Sequence, residues 1–445
     1  MTGSLELVVA GALSPAGDPV DLGIADGRIA VVTEPGALAA PARIDASELQ
    51  LLPGAIDSHV HFNEPGPRTD WEGWVTGSAA LAAGGVTTAL EMPLNASPPT
   101  TTIQAFDDKL AAASASSRVD FGLWGGIVPG NLDQLPELAQ RGVCGFKAFM
   151  SSTGTSDFGR SDELTLYEAM SAVAGLQSER LVAVHAESET ITRTLAARAR
   201  AAGRVAVRDY LQSRPAVAET EAIATAIELA ATTGCPLHIV HVSTGRGVTL
   251  VAEARARGVD VSCEVTAHHL LLTEEDAERL GPIAKCAPPL RPAAEGEALW
   301  SALGDGDVSF VVSDHSPSTP QLREGDAFGA WGGIAGCQST LELLLTAGRL
   351  TLPTLAERVA GAVARRVRLP GKGTLAPGSD ADLVLVKLGE RRTLEAGELR
   401  YRHRMSPYVG RELTARVVRT LVRGETVYAD GELVGEPHGR LVTPG

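Results

Sequence analysis

The middle of the chain alternates short apolar runs with segments of helical spacing or alanine-rich composition. Near-continuous apolar strands that alternate with helices are typical of parallel strands covered by helices. The eight runs are LLPGAIDSHVHF, VTTALEMP, DFGLWGGIV, GVCGFKAFM, LVAVHAE, PLHIVHVS, VDVSCEVTAHH and VSFVVSDHSP. They predict an α/β fold, a (β/α)8 TIM-like barrel over residues 55–370, with its active site at the carboxyl ends of the strands.

Both ends of the chain show a different pattern, in which short apolar runs alternate with turn signals and long helical periodicity is missing. VDLGIADGRIAVV illustrates this pattern in the first segment and ARVVRTLVRGETVYADGELV in the last. Two β-rich ends around one large middle predict that residues 1–54 and 371–445 meet as a small β-sandwich domain. The stretch 371–374 (GKGT) lacks the upstream glycine spacing of a phosphate loop and is predicted to be a turn.

Composition narrows the classes of function. The 445 residues are 44% hydrophobic and 21% charged, and their formal charge of −15 argues against nucleic acid or an anionic membrane as a partner. No apolar stretch is long enough to span a bilayer, and the first residues lack a basic region followed by a long apolar run. The five cysteines include no C-x-x-C pair, which favours reduced thiols and a cytoplasmic location.

Residues with metal-binding chemistry fall at the ends of the predicted strands. Side chains two apart in a strand face the same side, so His59 and His61 could form two arms of a metal site. An H-x-H pair alone is a weak signal, because two surface histidines are at least as common. The fourth, fifth, sixth and eighth runs end near Lys147, His185, His241 and Asp314. Their convergence on one rim of the barrel predicts a metal centre.

Spacing also separates the other histidines of the barrel. His238 and His241 are three apart, so in one strand they face opposite sides. His241 is nearer the carboxyl end and is the predicted ligand, whereas His238 is interpreted as a packed or hydrogen-bonded residue. His268 and His269 are interpreted as rim or structural residues. His315 directly follows the predicted aspartate ligand and is expected to face away from the metals.

Lys147 lies inside an apolar run, where an ammonium group costs desolvation free energy unless its nitrogen is neutralised or used. A neutral lysine amine can add CO2 to become a carbamate, which is an anionic two-oxygen ligand that two metal ions would stabilise. The competing interpretation is a Schiff-base lysine. That alternative ranks lower because it gives no role to the surrounding histidines and aspartate.

Taken together, these residues resemble the amidohydrolase superfamily, specifically its cyclic amidohydrolases. Members of that group carry H-x-H after strand one, a carboxylated lysine on strand four, histidines on strands five and six and an aspartate on strand eight. The matching residues are His59, His61, Lys147, His185, His241 and Asp314. The resemblance covers essentially the whole chain, including the split β-sandwich.

The resemblance implies two divalent metal ions per subunit. One would be held by the H-x-H pair and Asp314, the other by His185 and His241, with Lys147 as a bridging N6-carboxylysine. Zinc is the expected metal, with cobalt, manganese or iron as alternatives, because imidazole and carboxylate ligands suit all four. A metal-bridging hydroxide would attack the ring carbonyl, and Asp314 would act as the catalytic residue that carries the proton to the departing nitrogen.

The motifs HVHFNEPG, DWEGW, GGVTTALEMPLN, GFKAFM, KCAPPLR and SDHSPS are most similar to the group members that open allantoin, a ureido-substituted hydantoin, to allantoate in purine catabolism. Dihydroorotases carry a substrate-binding arginine where this chain has Asn63, and an asparagine directly after Met-Pro, where Leu94 here precedes Asn95. A neutral ring needs no such cation. The predicted substrate-binding residues are Asn63, Asn95, Cys286 and Ser316.

Alternatives remain open for the activity. A hydantoinase, dihydropyrimidinase or dihydroorotase would act on another cyclic amide with the same chemistry. Some relatives of dihydropyrimidinase are non-enzymatic scaffolds, but these typically lack part of the metal set, which is complete here. The resemblance also implies a homotetramer whose partner is a small cyclic ureide.

Overall fold

The computed structural model describes residues 4–445; residues 1–3, which belong to the predicted segment 1–54, lie outside the described part. The chain begins with five strands, β1 (Leu7–Leu13), β2 (Pro19–Ala25), β3 (Arg28–Thr33), β4 (Ala42–Asp45) and β5 (Gln50–Pro53). Strands β1, β2 and β3 form an antiparallel meander, and β1 also pairs in parallel with β4. This first segment is therefore entirely β-structure, as its turn-rich alternation predicts.

The barrel strands follow in the middle of the chain. They are β6 (Ala55–Val60), β7 (Val86–Glu91), β8 (Asp120–Leu123), β9 (Gly125–Gly126), β10 (Phe146–Phe149), β11 (Val182–His185), β12 (Leu237–Ile239), β13 (Val261–Thr266) and β14 (Phe310–Val312). The short strands β8 and β9 are consecutive parts of the third barrel strand. Each of the eight predicted apolar runs contains a barrel strand.

Parallel pairing runs continuously around this ring. Strands β6, β7 and β8 pair in that order, and β9 through β14 continue the ladder. A parallel bridge between Val60 and His315 joins the last strand to the first. The predicted (β/α)8 barrel is thereby confirmed. Because all the strands run in the same direction, their carboxyl ends surround one mouth.

Helices cover the outside of the barrel. They are α1 (Trp74–Ala83), α2 (Ile103–Ser116), α3 (Leu135–Arg141), α4 (Glu163–Ala174), α5 (Glu189–Ala201), α6 (Val207–Gln212), α7 (Ala216–Thr233), α8 (Gly245–Ala256), α9 (Ala267–Leu271), α10 (Glu274–Leu280), α11 (Ala293–Asp305), α12 (Thr340–Ala347), α13 (Leu352–Ala356) and α14 (Ala362–Val367). Side chains cap the N-termini of several of these helices. The Thr244 hydroxyl accepts a hydrogen bond from the Gly247 amide at 3.1 Å and begins α8.

The last strands are β15 (Leu383–Thr393), β16 (Glu412–Val422), β17 (Glu425–Ala429) and β18 (Glu432–Leu433). Strand β15 pairs antiparallel with β5, so both ends of the chain share one nine-stranded sheet. Buried residues of both ends, including Leu22, Leu51 and Leu385, form an apolar core separate from that of the barrel. The two ends therefore fold together, and domain boundaries at residues 54/55 and 370/371 remain our proposal.

Within residues 4–445, no helix is both long enough and apolar enough to cross a membrane. All five cysteines are buried and none forms a disulfide. The stretch 371–374 is a turn region with left-handed glycines at Gly371 and Gly373, as the sequence predicts.

Candidate metal centre

The H-x-H pair lies at the carboxyl end of β6. His59 belongs to the strand and His61 follows it, and both side chains are buried at the barrel mouth. Their Nε2 atoms lie 3.3 and 3.4 Å from Oδ1 of Asp314, which follows β14. Strand periodicity therefore turns both imidazoles toward the same carboxylate.

His185 and His241 form the opposite side of the cluster. His185 ends β11, and its Nδ1 lies 3.0 Å from Nε2 of His241, just beyond β12. The rings of His59 and His241 are 5.4 Å apart between centres. His241 and Asp314 adopt φ values of 41° and 45°, a left-handed backbone that non-glycine residues seldom adopt. Local strain of this kind is characteristic of functional sites.

Lys147 is fully buried in β10, on the strand between the H-x-H pair and His185. Its Nζ has no hydrogen-bond partner among residues 4–445 and lies 4.9 Å from the ring centre of Phe149. The Phe149 ring stacks on His185 at 4.7 Å. Burial lowers the pKa of Lys147 to about 7, although Glu264 and Asp314 act in the opposite direction. A substantial neutral fraction of this amine is therefore present at neutral pH.

Glu264 on β13 orients His59 from behind. One carboxylate oxygen accepts a hydrogen bond from His59 Nδ1 at 2.6 Å, and the other lies 3.1 Å from His238 Nε2. His238 Nδ1 is in turn 2.7 Å from the Ser262 hydroxyl. Because a carboxylate only accepts, His59 carries its proton on Nδ1, which leaves Nε2 free to bind a metal ion.

Glu187 does the same for His185 with the opposite ring nitrogen. Its Oε2 accepts from His185 Nε2 at 2.9 Å and from Arg214 at 2.7 Å. His185 therefore presents Nδ1 to the cluster. The carbonyl of Leu94 accepts from His61 Nδ1 at 2.6 Å and so fixes the third ring. Neither orienting glutamate, Glu187 or Glu264, was predicted from the sequence.

Burial keeps the imidazoles of His59, His185 and His241 neutral. Burial and the nearby Lys147 lower the pKa of His59 to about 3. Burial likewise lowers the pKa of His185, and that of His241 falls well below its usual value. Burial alone would raise the pKa of Asp314, but its contact with His61 holds it below the usual range. Neutral imidazoles beside a carboxylate are the donor types that divalent transition metals bind.

The donor set fits a metal centre. His59, His241 and Asp314 offer ligand atoms within 4.8 Å of one another, and all three side chains are buried. The second ring nitrogens of His59, His61 and His185 are already bonded, which leaves their other nitrogens for a ligand. Nδ1 of His241 and Nζ of Lys147 are buried without a hydrogen-bond partner in residues 4–445, and buried polar groups of this kind call for a ligand. The structure thus supplies a candidate metal-binding group at the barrel mouth.

A cavity of about 470 Å³ opens over this cluster. Asn95, Cys286 and Ser316, three of the predicted substrate-binding residues, line it. Asn63, the fourth, is buried behind Asn95, whose amide donates to the Asn63 carbonyl at 3.1 Å. Asn63 therefore supports Asn95, and the structure gives it no place in the cavity lining. Asn63 can therefore affect a ligand in the cavity only through its hydrogen bond with Asn95.

The remaining histidines lie outside the cluster. His315 faces Glu72, with Nε2 and Oε2 3.5 Å apart, and packs beside Tyr401. His268 and His269 are buried, with ring centres 4.5 Å apart. His269 bonds to the Thr266 hydroxyl and the Pro288 carbonyl, as expected of a structural residue.

A family model described as the amidohydrolase family matches residues 50–427. This chain belongs to the amidohydrolase family. An allantoinase from Rubrobacter xylanophilus is 56% identical to this chain, and the match covers 99% of this chain and 98% of the relative. An allantoinase from Deinococcus radiodurans is 48% identical and covers 99% of both chains.

Solved structures of other amidohydrolases have the same fold. An L-hydantoinase (dihydropyrimidinase) from Arthrobacter aurescens superposes with a TM-score of 0.95 at 35% identity, over 99% of this chain and 100% of its own. A D-hydantoinase superposes with a TM-score of 0.90 at 28% identity, over 98% of each chain. These full-length matches identify the barrel with its attached sheet as a single family architecture.

Proposed function

We propose that this chain is an allantoinase, a metal-dependent hydrolase that opens the hydantoin ring of allantoin to give allantoate. The observation that carries this proposal is the identity of 40–56% to relatives named allantoinase that cover nearly the entire chain. The donor cluster under the cavity supplies the chemistry that hydrolysis of a cyclic amide requires.

The cavity suits a small, hydrogen-bonding ring. Its volume of about 470 Å³ lies in the range of small-molecule sites. The Asn95 amide and the Ser316 hydroxyl are neutral groups that could bond the imide edge of a hydantoin. The position where dihydroorotases carry an arginine is the uncharged and buried Asn63. A ring that carries a carboxylate would find no bidentate partner at that position.

Two divalent ions are our proposed cofactors, with zinc first and cobalt, manganese or iron as alternatives. The grouping of contacts supports one ion on the H-x-H pair with Asp314 and the other on His185 with His241. Lys147 would bridge them as N6-carboxylysine. Its nitrogen is buried, unpartnered within residues 4–445 and close to neutral at physiological pH, as reaction with CO2 requires.

The bound ions would polarise the ring carbonyl and supply a deprotonated water near neutral pH. Asp314 is the chain's own proton carrier in this scheme. Its lowered pKa keeps it an acceptor, and it lies within 3.4 Å of both histidines of the H-x-H pair. After accepting a proton it would donate to the departing ring nitrogen, because an unprotonated amide nitrogen is a poor leaving group.

A hydantoinase is the second candidate, favoured by the superposition on the L-hydantoinase with a TM-score of 0.95. Fold likeness does not choose between ring substituents, because the barrel and the metal ligands serve both reactions. The identity of 35% to that protein is also well below the 56% to the Rubrobacter allantoinase. We therefore rank allantoin first.

Turnover of allantoin, hydantoin, dihydrouracil and dihydroorotate by metal-reconstituted protein tests this proposal. Allantoin should show the highest kcat/KM. Asp314→Asn should lower kcat by at least ~10²–10⁴-fold, the usual range of acid–base assistance, with further loss from the altered ligand. Preference for unsubstituted hydantoin would favour the second candidate. Near-normal turnover by Asp314→Asn with metals bound would contradict the mechanism.

We also propose a homotetramer in the cytoplasm, acting on a small ureide without nucleic acid or membrane partners. The assembly follows from the family resemblance. The compartment is supported by five buried cysteines that form no disulfide. Light scattering at working concentration tests the subunit number, and fractionation of cells tests the compartment.

A further inference from the structure

A second cavity, which we call the basal pocket, lies at the opposite end of the barrel from the metal-binding cluster. Its lining includes Leu181, Pro236, Asp260 and Ser309. Each of these residues directly precedes the first residue of a barrel strand, from β11 to β14. The basal pocket has a volume of about 500 Å³, comparable to the cavity over the metal-binding cluster.

The charge of the basal pocket differs in sign from that of the whole chain. The arginines in its lining are Arg180, Arg358, Arg365, Arg366 and Arg368, and its acidic residues are Glu179, Asp260 and Glu357. Five arginines against three carboxylates leave a formal excess of two positive charges. The whole chain has a formal charge of −15. A local excess of positive charge in so acidic a protein favours the binding of anions at this position.

Three of these arginines are neutralised by the three acids. Arg366 pairs with Asp260 at 2.5 Å, and the other two arginines pair with Glu357 and Glu179. Arg180 and Arg358 have no carboxylate within salt-bridge distance in the described part of the chain. They account for the excess charge.

Arg180 is the stronger indication of a ligand. Only 8% of the residue is exposed, and its Nε has no hydrogen-bond partner in residues 4–445. Its remaining contacts are carbonyl oxygens, of Glu179 at 3.1 Å and Ala139 at 3.5 Å. Arg358 likewise donates Nε to the Leu303 carbonyl at 2.9 Å. Neutral carbonyl groups satisfy part of the donor capacity of these guanidinium groups and none of their charge.

We propose that the basal pocket binds a small oxyanion, a phosphate or carboxylate group, between Arg180 and Arg358. Guanidinium groups bind such anions through paired N–H donors, and these bonds strengthen where water is excluded. An anion here would neutralise the two unpaired charges. The ligand would also contact the starts of several barrel strands, so its binding should stabilise the folded state.

Titration calorimetry of the metal-loaded protein with inorganic phosphate, and separately with malonate, tests the proposal and distinguishes the two anion classes. We expect saturable binding of one equivalent of one or both anions, with a rise in thermal midpoint at constant ionic strength. Arg180→Gln and Arg358→Gln should each weaken binding by about tenfold or more, as loss of a charge-assisted bidentate contact does. Arg349→Gln is the matched control, because Arg349 pairs with Glu297 outside the pocket.

Anion binding at the metal centre is separated by its effect on turnover. An anion held by the metals would compete with substrate, whereas occupancy of the basal pocket should leave KM unchanged. If Arg180→Gln fails to fold, Arg180→Lys and Arg358→Gln carry the test. The proposal is overturned if neither anion binds saturably, or if binding is equally strong in the Arg180, Arg358 and Arg349 variants. In that case the two arginines are only caps for carbonyl oxygens.

Discussion

Two buried lysines in this protein have opposite surroundings. Lys147, at the barrel mouth, has a nitrogen without a hydrogen-bond partner in residues 4–445, and burial lowers its pKa to about 7. Lys372 lies between the terminal sheet and the barrel. Its Nζ is 2.6 Å from Oδ2 of Asp120, 2.7 Å from that of Asp382 and 3.0 Å from that of Asp380. Burial alone would lower the pKa of Lys372, but these carboxylates raise it well above its usual range.

The contrast separates a structural lysine from a chemical one. A buried ammonium group is tolerated when carboxylates compensate its lost hydration, as around Lys372 and in the pair of Lys109 with Glu91. Within the described part of the chain, no carboxylate contacts Lys147 in this way. Its burial without a partner is costly in the unmodified protein, and conversion to a metal-bound carbamate would remove that cost. The absence of a direct ion pair is therefore the structural argument for modification of Lys147.

Replacement of the amine at the mouth should give the largest effect on catalysis. In Lys147→Met the bridging ligand is lost, so we expect loss of metal and a fall in kcat of more than ~10²-fold. The free energy of unfolding of the metal-free variant should nonetheless exceed that of metal-free wild type by about 1–3 kcal/mol, because an unsatisfied buried polar group has been removed. Metal analysis, turnover and denaturant unfolding measure the three quantities.

Mass spectrometry of gently handled, metal-loaded wild type should show a CO2 adduct on Lys147 and none on Lys372. A Lys147→Met protein that keeps its metals and its turnover would break the comparison, because Lys147 would then be an ordinary buried residue.

The same substitution at the junction should act on stability instead. Lys372→Met removes the cation that three carboxylates share. Asp120 keeps its pair with Arg423 and Asp380 keeps Arg28, but Asp382 is left buried without a cation, so the free energy of unfolding should fall by about 3–5 kcal/mol. Turnover per folded molecule should stay near wild type, because the junction is remote from the metal ligands. Lys387→Met is the control: Lys387 is exposed and pairs with Glu390, so its loss should change stability by less than about 1 kcal/mol. Equal effects of the two substitutions would show that the cluster at Lys372 is not a stabilising element.

The glutamates behind the histidines should have an intermediate effect. Glu264→Gln removes the charge that holds His59 in its metal-binding tautomer, and we expect metal affinity to fall by about 10–100-fold. Glu342→Gln offers a matched control, because Glu342 is a buried glutamate that pairs with Arg392 on the terminal sheet. It should lower stability without changing metal affinity. Competition with a chelator measures the metal affinity of both variants. Unchanged affinity in Glu264→Gln would leave that glutamate a purely structural role.

The barrel was predictable from the sequence, and so was the position of the proposed ligands at one mouth, because both follow simple periodicities. Parallel strands covered by helices give apolar runs in alternation, and the carboxyl ends of such strands share one mouth. Four of the six proposed ligands lie in a barrel strand or directly follow one, and His241 and Asp314 each lie two residues beyond their strands, β12 and β14. The lysine drew attention because a cation is unusual in an apolar run. The contacts of Lys147 could be determined only from the structure.

The orienting residues were not found because their role depends on contacts between strands. Glu264 lies in an apolar run, but only the pairing of β13 with β12 brings it to His238. A signal was present, since Ser262 and Glu264 are two apart and face the same side. Asn63 was expected to bind substrate because it occupies the position of the substrate-binding arginine of dihydroorotases. The chain leaves the strand there with φ of 65° at Asn63, so strand alternation no longer applies.

The pH dependence of stability gives the finest test of the comparison. In metal-free protein the folded pKa of Lys147 is about 7, against an ordinary value of 10.5, so between these values the unfolded chain binds more protons. The free energy of unfolding should therefore rise with pH across that window, by up to about 1.4 kcal/mol per pH unit from this group. The contribution is complete above pH 10.5 and is lost as the pH falls toward 7.

Urea unfolding of metal-free wild type and Lys147→Met at pH 7, 8 and 9 isolates this term. The variant already lacks the amine, so its excess stability over wild type should be largest at pH 7 and shrink as the pH rises. Lys372→Met should show no such convergence with wild type in this range, because the raised pKa of Lys372 keeps that side chain protonated throughout. A constant difference between Lys147→Met and wild type would mean that the amine at the barrel mouth keeps an ordinary pKa, and the neutral nitrogen needed for reaction with CO2 would be scarce at physiological pH.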